Sequence, residues 1–348
     1  MRRREFHLAV MGALASGRTL LADAAAKGAR LGLCTFSCHQ AWKAAQARES
    51  GVRFNDALSF YRYARSLGAE GVQTPLRSQD PEVARSLRDV VERDGGYYEA
   101  ELKLPKTEAD LDGFSAEVKL ARQAGATVAR SVCMGGRRYE VFKSIAEFEA
   151  FRQQSLRSLQ LAEPILRRER LKLAIENHKD HTVAELLELI RSVSSEWVGI
   201  LVDTGNNLAL LESAEAVARQ LAPWAMSVHL KDMAVRPYED GFLLSEVPLG
   251  TGTLDLKQII DAILKHNPRI VLNLEMATRD PLKVPCRRDE FFATFPDQRT
   301  ALAPMLEWVR SHPPRQAPPM TTGRPISEIL AAEESNNRTS LKWMAANV

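Results

Sequence analysis

Short apolar runs alternate with longer amphipathic stretches from about residue 29 to residue 311. ARLGLCTFS (29–37), GVQTPL (71–76), YYEAELKLP (97–105) and TVARSVCMG (127–135) read as buried strands. Between them, apolar positions recur every three or four residues over 54–68, 81–95 and 107–125, as in helices that bury one face. Gly68 and Gly95 suit two helix ends, Pro81 suits a first turn, and Thr107 or Asp110 suits a cap. A long helix is expected over 144–170, kinked at Pro164. The second half adds the strands LKLAIENH (171–178), VGILVDTGN (198–206), MSVHLKDM (226–233) and IVLNLEMA (270–277). Helical periods fill 182–193, 213–222, 254–266 and 297–311. Eight strands in alternation with eight helices predict an α/β chain folded as a (β/α)8 TIM barrel over 25–312. A doubly wound open sheet usually has fewer strands, and no GxGxxG follows the first strand here.

Two segments fall outside this alternation. The C-terminal piece, 313–348, combines the proline-rich HPPRQAPP (312–319) with a helical tail over 326–348. The tail has an apolar stripe at Ile326, Ile329, Leu330, Leu341 and Met344, expected to clasp the barrel or a neighbouring subunit, so a homo-oligomer is left open. At the other end, Arg2, Arg3 and Arg4 precede Phe6, Leu8 and a mildly apolar stretch with an Ala-x-Ala site at Ala22–Ala24. Residues 1–24 resemble a twin-arginine signal peptide, which implies export to the periplasm; a basic N-terminal tail or an organellar presequence are the alternatives.

The composition is that of an ordinary soluble protein, 45% hydrophobic and 26% charged over 348 residues. With 47 basic and 44 acidic residues the net charge is +3. Loss of residues 1–24 removes four arginines and two acids and leaves 43 against 42. Neither value gives the basic footprint of a nucleic-acid partner. No run of 18 apolar residues predicts a membrane span in the mature form. Four cysteines without a CxxC pair argue against a disulfide scaffold or a structural zinc site; Cys34 and Cys38 are left either paired or reduced.

Chemistry concentrates in the last four strands. Glu176, Asp203, His229 and Glu275 lie at or near their ends, spaced by 27, 26 and 46 residues. Parallel strands of a barrel bring such ends together. A carboxylate in an apolar strand is costly unless it is paired or metal-bound. Lys172 shares a strand face with Glu176, but four residues at about 3.3 Å each put it roughly 13 Å away. Three carboxylates and one imidazole suit one divalent metal ion, Mn²⁺ first, with Mg²⁺, Co²⁺ and Zn²⁺ as alternatives. Lys231, two residues beyond His229, is a candidate holder of a substrate oxygen. His178, two beyond Glu176, should reach the pocket rim. Arg137, after strand four, is a candidate for an acidic substrate group. His181 and Lys179 are weaker candidates, and Asn177 and Asn206 suit ligand orientation.

The segments IENH (175–178), VDTGN (202–206), VHLKD (228–232), PLGTGTLD (248–255) and LNLEM (272–276) together resemble the xylose isomerase-like barrel superfamily, specifically its sugar phosphate isomerase/epimerase group. The first half matches in pattern only. The resemblance places the family's metal ligands on Glu176, Asp203, His229 and Glu275, and its proton-exchanging glutamates on Glu176 and Glu275. It implies an isomerase or epimerase that acts on a keto-sugar, a small-molecule carbohydrate, through an enediolate. A 3-keto-glycoside lyase or hydratase would use the same α-deprotonation. A nuclease like endonuclease IV needs a histidine-rich three-zinc cluster, and only seven histidines are present. A binding module with a degenerate site fits poorly with the intact ligand set.

Overall fold

The computed structural model describes residues 28–348. The segment expected to be an export signal, 1–24, lies outside the described residues. Eleven strands follow in chain order: β1 (Arg30–Cys34), β2 (Gly71–Thr74), β3 (Tyr97–Glu101), β4 (Val128–Ser131), β5 (Lys172–Glu176), β6 (Val198–Asp203), β7 (Ala225–Leu230), β8 (Asp232–Tyr238), β9 (Gly241–Val247), β10 (Val271–Leu274) and β11 (Leu282–Val284). Strands β1 to β7 and β10 close a parallel barrel in the order β1-β10-β7-β6-β5-β4-β3-β2. The expected (β/α)8 barrel is therefore the fold, with a helical C-terminal extension.

Local sequence explains the elements. Helix Ala57–Leu67 starts at Asp56, whose side chain accepts the Ser59 amide, and stops at Gly68 in the left-handed region at φ 100°. Pro81 opens helix Pro81–Arg93 behind an Asp80 cap. Thr182 and Glu185 form a reciprocal capping box for Val183–Val193. Thr107 and Asp110 cap a short 3-10 turn, so the helix behind them begins at Leu111 rather than at 107. Helix Ile145–Glu169 runs unbroken past Pro164.

Two stretches that the alternation leaves unassigned carry regular structure. After β1 the chain makes a 3-10 turn, Thr35–Cys38, and then helix His39–Gln46. Residues 232–253 contain the antiparallel hairpin β8–β9, to which β11 adds a third strand. The hairpin turns on Glu239 and Asp240, and Gly241, at φ 155°, opens β9 opposite Tyr238.

The barrel floor is plugged by one aromatic ring. Tyr97 lies against Gly32 and Gly71, where an added Cβ would fall 1.6 Å from its hydroxyl and 2.4 Å from its ring. Its hydroxyl donates to Asn273 Oδ1 at 2.8 Å.

The tail forms a single helix, Ile326–Asn347, packed on the Thr35–Cys38 turn, helix His39–Gln46, β1 and β10. Ile329, Leu341 and Met344 of the expected stripe are buried, but Ile326 is exposed and the buried face also carries Glu333 and Asn337. These polar groups satisfy backbone left open elsewhere. Glu333 accepts the Gln40 and Ala41 amides at 2.8 and 3.0 Å, and Asn337 donates to the Ser37 carbonyl at 2.8 Å.

Burial lifts the Glu333 carboxyl to about 7, against the pull of the Ala41 and Gln40 amides. The folded state then binds the proton more readily than the unfolded chain, so stability falls as pH rises from about 4.5 toward 7. Urea unfolding between pH 5 and 8 should show this decline, and Glu333→Gln should flatten it; an unchanged slope in the variant refutes the assignment. Gly32→Ala should cost at least about 1–3 kcal/mol, since the added methyl collides with Tyr97. A loss below about 0.5 kcal/mol in the same assay would show that the floor can yield.

Candidate active site

Glu176 closes β5, Asp203 closes β6, His229 is the penultimate residue of β7, and Glu275 directly follows β10. One ligand atom from each lies within 4.8 Å of the others, and all four residues are buried. His229 Nδ1 touches Glu275 Oε2 and stands 3.5 Å from Glu176 Oε2 and 3.9 Å from Asp203 Oδ2.

The neighbours fix each group. His229 Nε2 bonds Gln73 Oε1 at 2.6 Å, and Gln73 Nε2 donates in turn to Glu99 Oε2 at 2.9 Å. That chain assigns one ring proton to Nε2 and turns Nδ1 toward three carboxylates; burial disfavours a charged ring, but Glu275 and Glu176 outweigh it and raise the imidazole toward its protonated form. Glu99 Oε2 also accepts from Ser227 Oγ and Asn273 Nδ2, which fastens the relay to the barrel floor. Asp203 Oδ1 accepts the amides of Gly205 and Asn206 at 2.9 and 2.8 Å. Asn206 Nδ2 donates to Glu176 Oε1 at 2.9 Å.

Two cations balance the cluster. Arg130 of β4 donates to Glu176 Oε2 at 2.8 Å through Nε and at 2.5 Å through Nη2. Lys231 Nζ stands 2.9 Å from both Asp203 Oδ2 and Glu275 Oε1 and donates to Asn206 Oδ1 at 3.1 Å. Burial works to raise the Glu176 carboxyl, but Arg130 and His229 outweigh it and hold the group at about 2. Burial likewise opposes ionisation of Glu275, yet Lys231 and His229 hold its carboxyl well below the usual range. Lys231 loses charge stability to burial and regains more from Asp203 and Glu275, so it stays ammonium.

Could this cluster hold a divalent cation? His229 Nδ1 and Asp203 Oδ2 are buried and make no hydrogen bond among the described residues, although Asp203 Oδ2 is ion-paired with Lys231. Three carboxylates around Nδ1 call for positive charge at that point, supplied by a proton on the ring or by a cation that takes its place. The donor set of three oxygens and one nitrogen fits such an ion.

The other expected contacts divide. Lys231 is inside the cluster. His178 Nδ1 is buried without a partner, and burial with Lys179 lowers the ring to about 4, so it is neutral. Arg137 ion-pairs with Glu140 at 2.5 Å, and none of its recorded contacts reaches the cluster. Lys179 reaches Asn206 Oδ1.

Sequence reading missed the residues that act across strands. Lys172 is exposed, and the partner of Glu176 is Arg130, which pairs with Ala174 in the β4–β5 register and so shares the face of Glu176. An arginine within an apolar strand was the available signal. Glu246 of β9 pairs with Arg279 and lies 4.0 Å from Lys231, in a stretch that the strand–helix alternation leaves unassigned. Cys34 brings its sulfur within 4.8 Å of ligand atoms of His229 and Glu275, where no thiol was expected. Cys34 and Cys38 are both free.

Arg130→Met would leave Glu176 buried without its cation, which should cost about 3–5 kcal/mol in chelator-treated protein. Arg130→Lys should recover part of that. A loss under about 1 kcal/mol on denaturant unfolding would show that Glu176 is neutralised by another group.

Comparison with known proteins places the chain. A 119-residue stretch, 34% of this chain and 43% of the relative, is 29% identical to 3-oxo-isoapionate decarboxylase of Pectobacterium atrosepticum, so it spans less than half the length of that curated relative. Crystal structures share the fold at lower identity. D-psicose 3-epimerase in the presence of D-fructose is 13% identical with TM-score 0.59, over 91% of this chain and 99% of that one. 3-Keto-D-glucoside 4-epimerase from E. coli is 14% identical with TM-score 0.54, over 81% and 99%. The model of the xylose isomerase-like TIM barrel matches residues 61–312, and the chain belongs to that family.

Proposed function

We propose that this protein is a divalent-metal-dependent isomerase or epimerase that acts on a keto-sugar or a related derivative through an enediolate. The observation that carries the reading is the convergence of Glu176, Asp203, His229 and Glu275 on one buried point, with His229 Nδ1 facing all three carboxylates. A cation held there, Mn²⁺ first, would supply Lewis acidity toward the vicinal oxygens of the substrate. The residues do the rest. Glu176 and Glu275 are both carboxylates at neutral pH and so can accept a proton. They rise from β5 and β10, three strand steps apart around an eight-strand ring, which suits attack on opposite faces of a planar enediolate. One takes the proton from the carbon beside the carbonyl and the other returns one to the far face. Lys231, held as ammonium between Asp203 and Glu275, is placed to bind the oxygen on which charge develops. Neutral His178 offers Nδ1 to a sugar hydroxyl.

A second reading, a 3-keto-glycoside lyase or hydratase, is favoured by the cavity next to the cluster. It has a volume of about 1040 Å³ and reaches from Arg130 and Glu101 to Leu104, Phe114 and Phe151, enough room for an apolar leaving group. After the same deprotonation, a substituent would leave from the β-carbon. Export, expected from residues 1–24, would place the enzyme among glycosides.

Ketohexoses and 3-keto-glucosides incubated in deuterated water with Mn²⁺ should take up deuterium at the carbon beside the carbonyl, with a change of configuration. Release of the aglycone would point to the lyase. Glu176→Gln and Glu275→Gln should each cut exchange by about 10²–10⁴-fold. If neither substrate class exchanges, or Glu275→Gln exchanges like the parent, the reading fails.

A further inference from the structure

A second group of metal-ligating side chains lies outside the proposed active site. Cys133 follows β4 by two residues, and Asp180 and His181 lie in the turn after β5, ahead of the Thr182 cap. The Cys133 sulfur, an Asp180 carboxylate oxygen and a His181 ring nitrogen lie within 4.8 Å of one another. Asp180 and His181 are each 1% exposed.

Three of their polar atoms lack a hydrogen-bond partner among the described residues, and the nearest charged contact of His181 is Asp180 Oδ1, 3.4 Å from Nδ1. Neither nitrogen of His181 has a hydrogen-bond partner among the described residues, and Asp180 Oδ2 has none either. The ring packs on Phe148 and Phe151, at 5.9 and 5.3 Å between centroids, which fixes its plane without satisfying it. Asp180 Oδ1 accepts the His181 amide at 2.7 Å. The neighbouring guanidinium of Arg138 donates to the Asp180 backbone carbonyl and to Glu185, not to Oδ2. A buried imidazole and a buried carboxylate oxygen left unpaired are costly, and native proteins rarely keep them so.

We propose that Cys133, Asp180 and His181 form a second cation site, selective for zinc, that ties the loop after β4 to the loop after β5. Thiolate, imidazole and carboxylate are the ligand types zinc takes, and three protein ligands leave a fourth position open. Cys133 lines the cavity of about 1040 Å³, whereas Asp180 and His181 are buried away from solvent. The set differs from the oxygen-rich active-site cluster, so the two sites should prefer different metals. On binding, the Cys133 thiol gives its proton to solvent and the sulfur–zinc bond replaces it. The loop after β4 lines the cavity through Cys133, Met134 and Gly135, so the ion would brace that side of it. This inference does not depend on the proposed reaction.

Cobalt is the spectroscopic probe. Metal-free full-length protein titrated with Co²⁺ should develop a thiolate-to-cobalt charge-transfer band. The band should persist in Cys34→Ser and in Glu275→Gln and vanish in Cys133→Ser. Zinc should raise the melting temperature of the parent and not of Cys133→Ser. Zinc should also protect Cys133 of the unmutated protein from alkylation, read by mass spectrometry, which covers the case of a variant that fails to fold. No band in the parent, a band lost with Cys34 and kept without Cys133, or alkylation of Cys133 unaffected by zinc would each overturn the site and leave a water as the occupant. Manganese binding that is lost in Glu275→Gln and kept in Cys133→Ser reports on the active-site cluster alone, so the two ideas fail separately.

Discussion

Three carboxylates and an imidazole are forced into one buried volume at the mouth of the barrel, and the upper half of the molecule is organised around that repulsion. Each charge is met from a different direction. Arg130 approaches Glu176 from β4, Lys231 bridges Asp203 and Glu275 from the end of β7, and Arg279 answers Glu246 from the loop after β10. Below them, Gln73 and Glu99 hold the far nitrogen of His229, so the near nitrogen has only one direction to face. Remove any one of these partners and a neighbour is left as an uncompensated buried charge, which costs far more than a surface pair contributes.

The hydrogen-bond relay also explains why the floor beneath the site is rigid. Asn273 donates to Glu99 and accepts from Tyr97, whose ring occupies the space that Gly32 and Gly71 leave by lacking a Cβ. The glycines, the tyrosine and the histidine thus belong to one column of contacts through the barrel axis. Burial pushes the Glu99 carboxyl upward, while Ser227, Gln73 and Asn273 pull it down. A column built from directed bonds tolerates less repacking than one of aliphatic side chains.

How much of this was legible in the chain follows from which interactions are local. The four ligands stood out because each carries a charge or an imidazole into an apolar run, and strand ends in a barrel converge whatever the loops do. Arg130 was not legible as the partner of Glu176. The strand-face argument pointed to Lys172, and only the register between β4 and β5 shows that the arginine is nearer. The β8–β9 hairpin interrupts the parallel αβ alternation, and its Glu239-Asp240 turn carries none of the strong hairpin signals. In the tail helix, apolar spacing identified Leu341 and Met344, but Glu333 and Asn337 are buried to serve backbone groups of a turn some 300 residues away in sequence, |i−j| being 293 and 300. No periodicity encodes such long-range satisfaction.

The loops after β4 and β5 are where the fold leaves function open. The strands fix Glu176 and Arg130, but Cys133, Arg137, His178, Asp180 and His181 hang on short irregular segments beyond them. The segment after β4 borders, through Cys133, Met134 and Gly135, the cavity that would receive whatever part of a substrate lies away from the reacting carbon. Arg138 is their main internal brace: it is 1% exposed, bonds Thr294 and Glu185, and stacks over Phe148 and Phe295. A buried guanidinium with aromatic faces on it holds position better than a surface arginine would. Placement of the rim therefore rests on a charge network of its own, separate from the one that holds the ligands. Substitutions at the rim can then retune what the cavity admits while the chemistry at the strand ends stays in place.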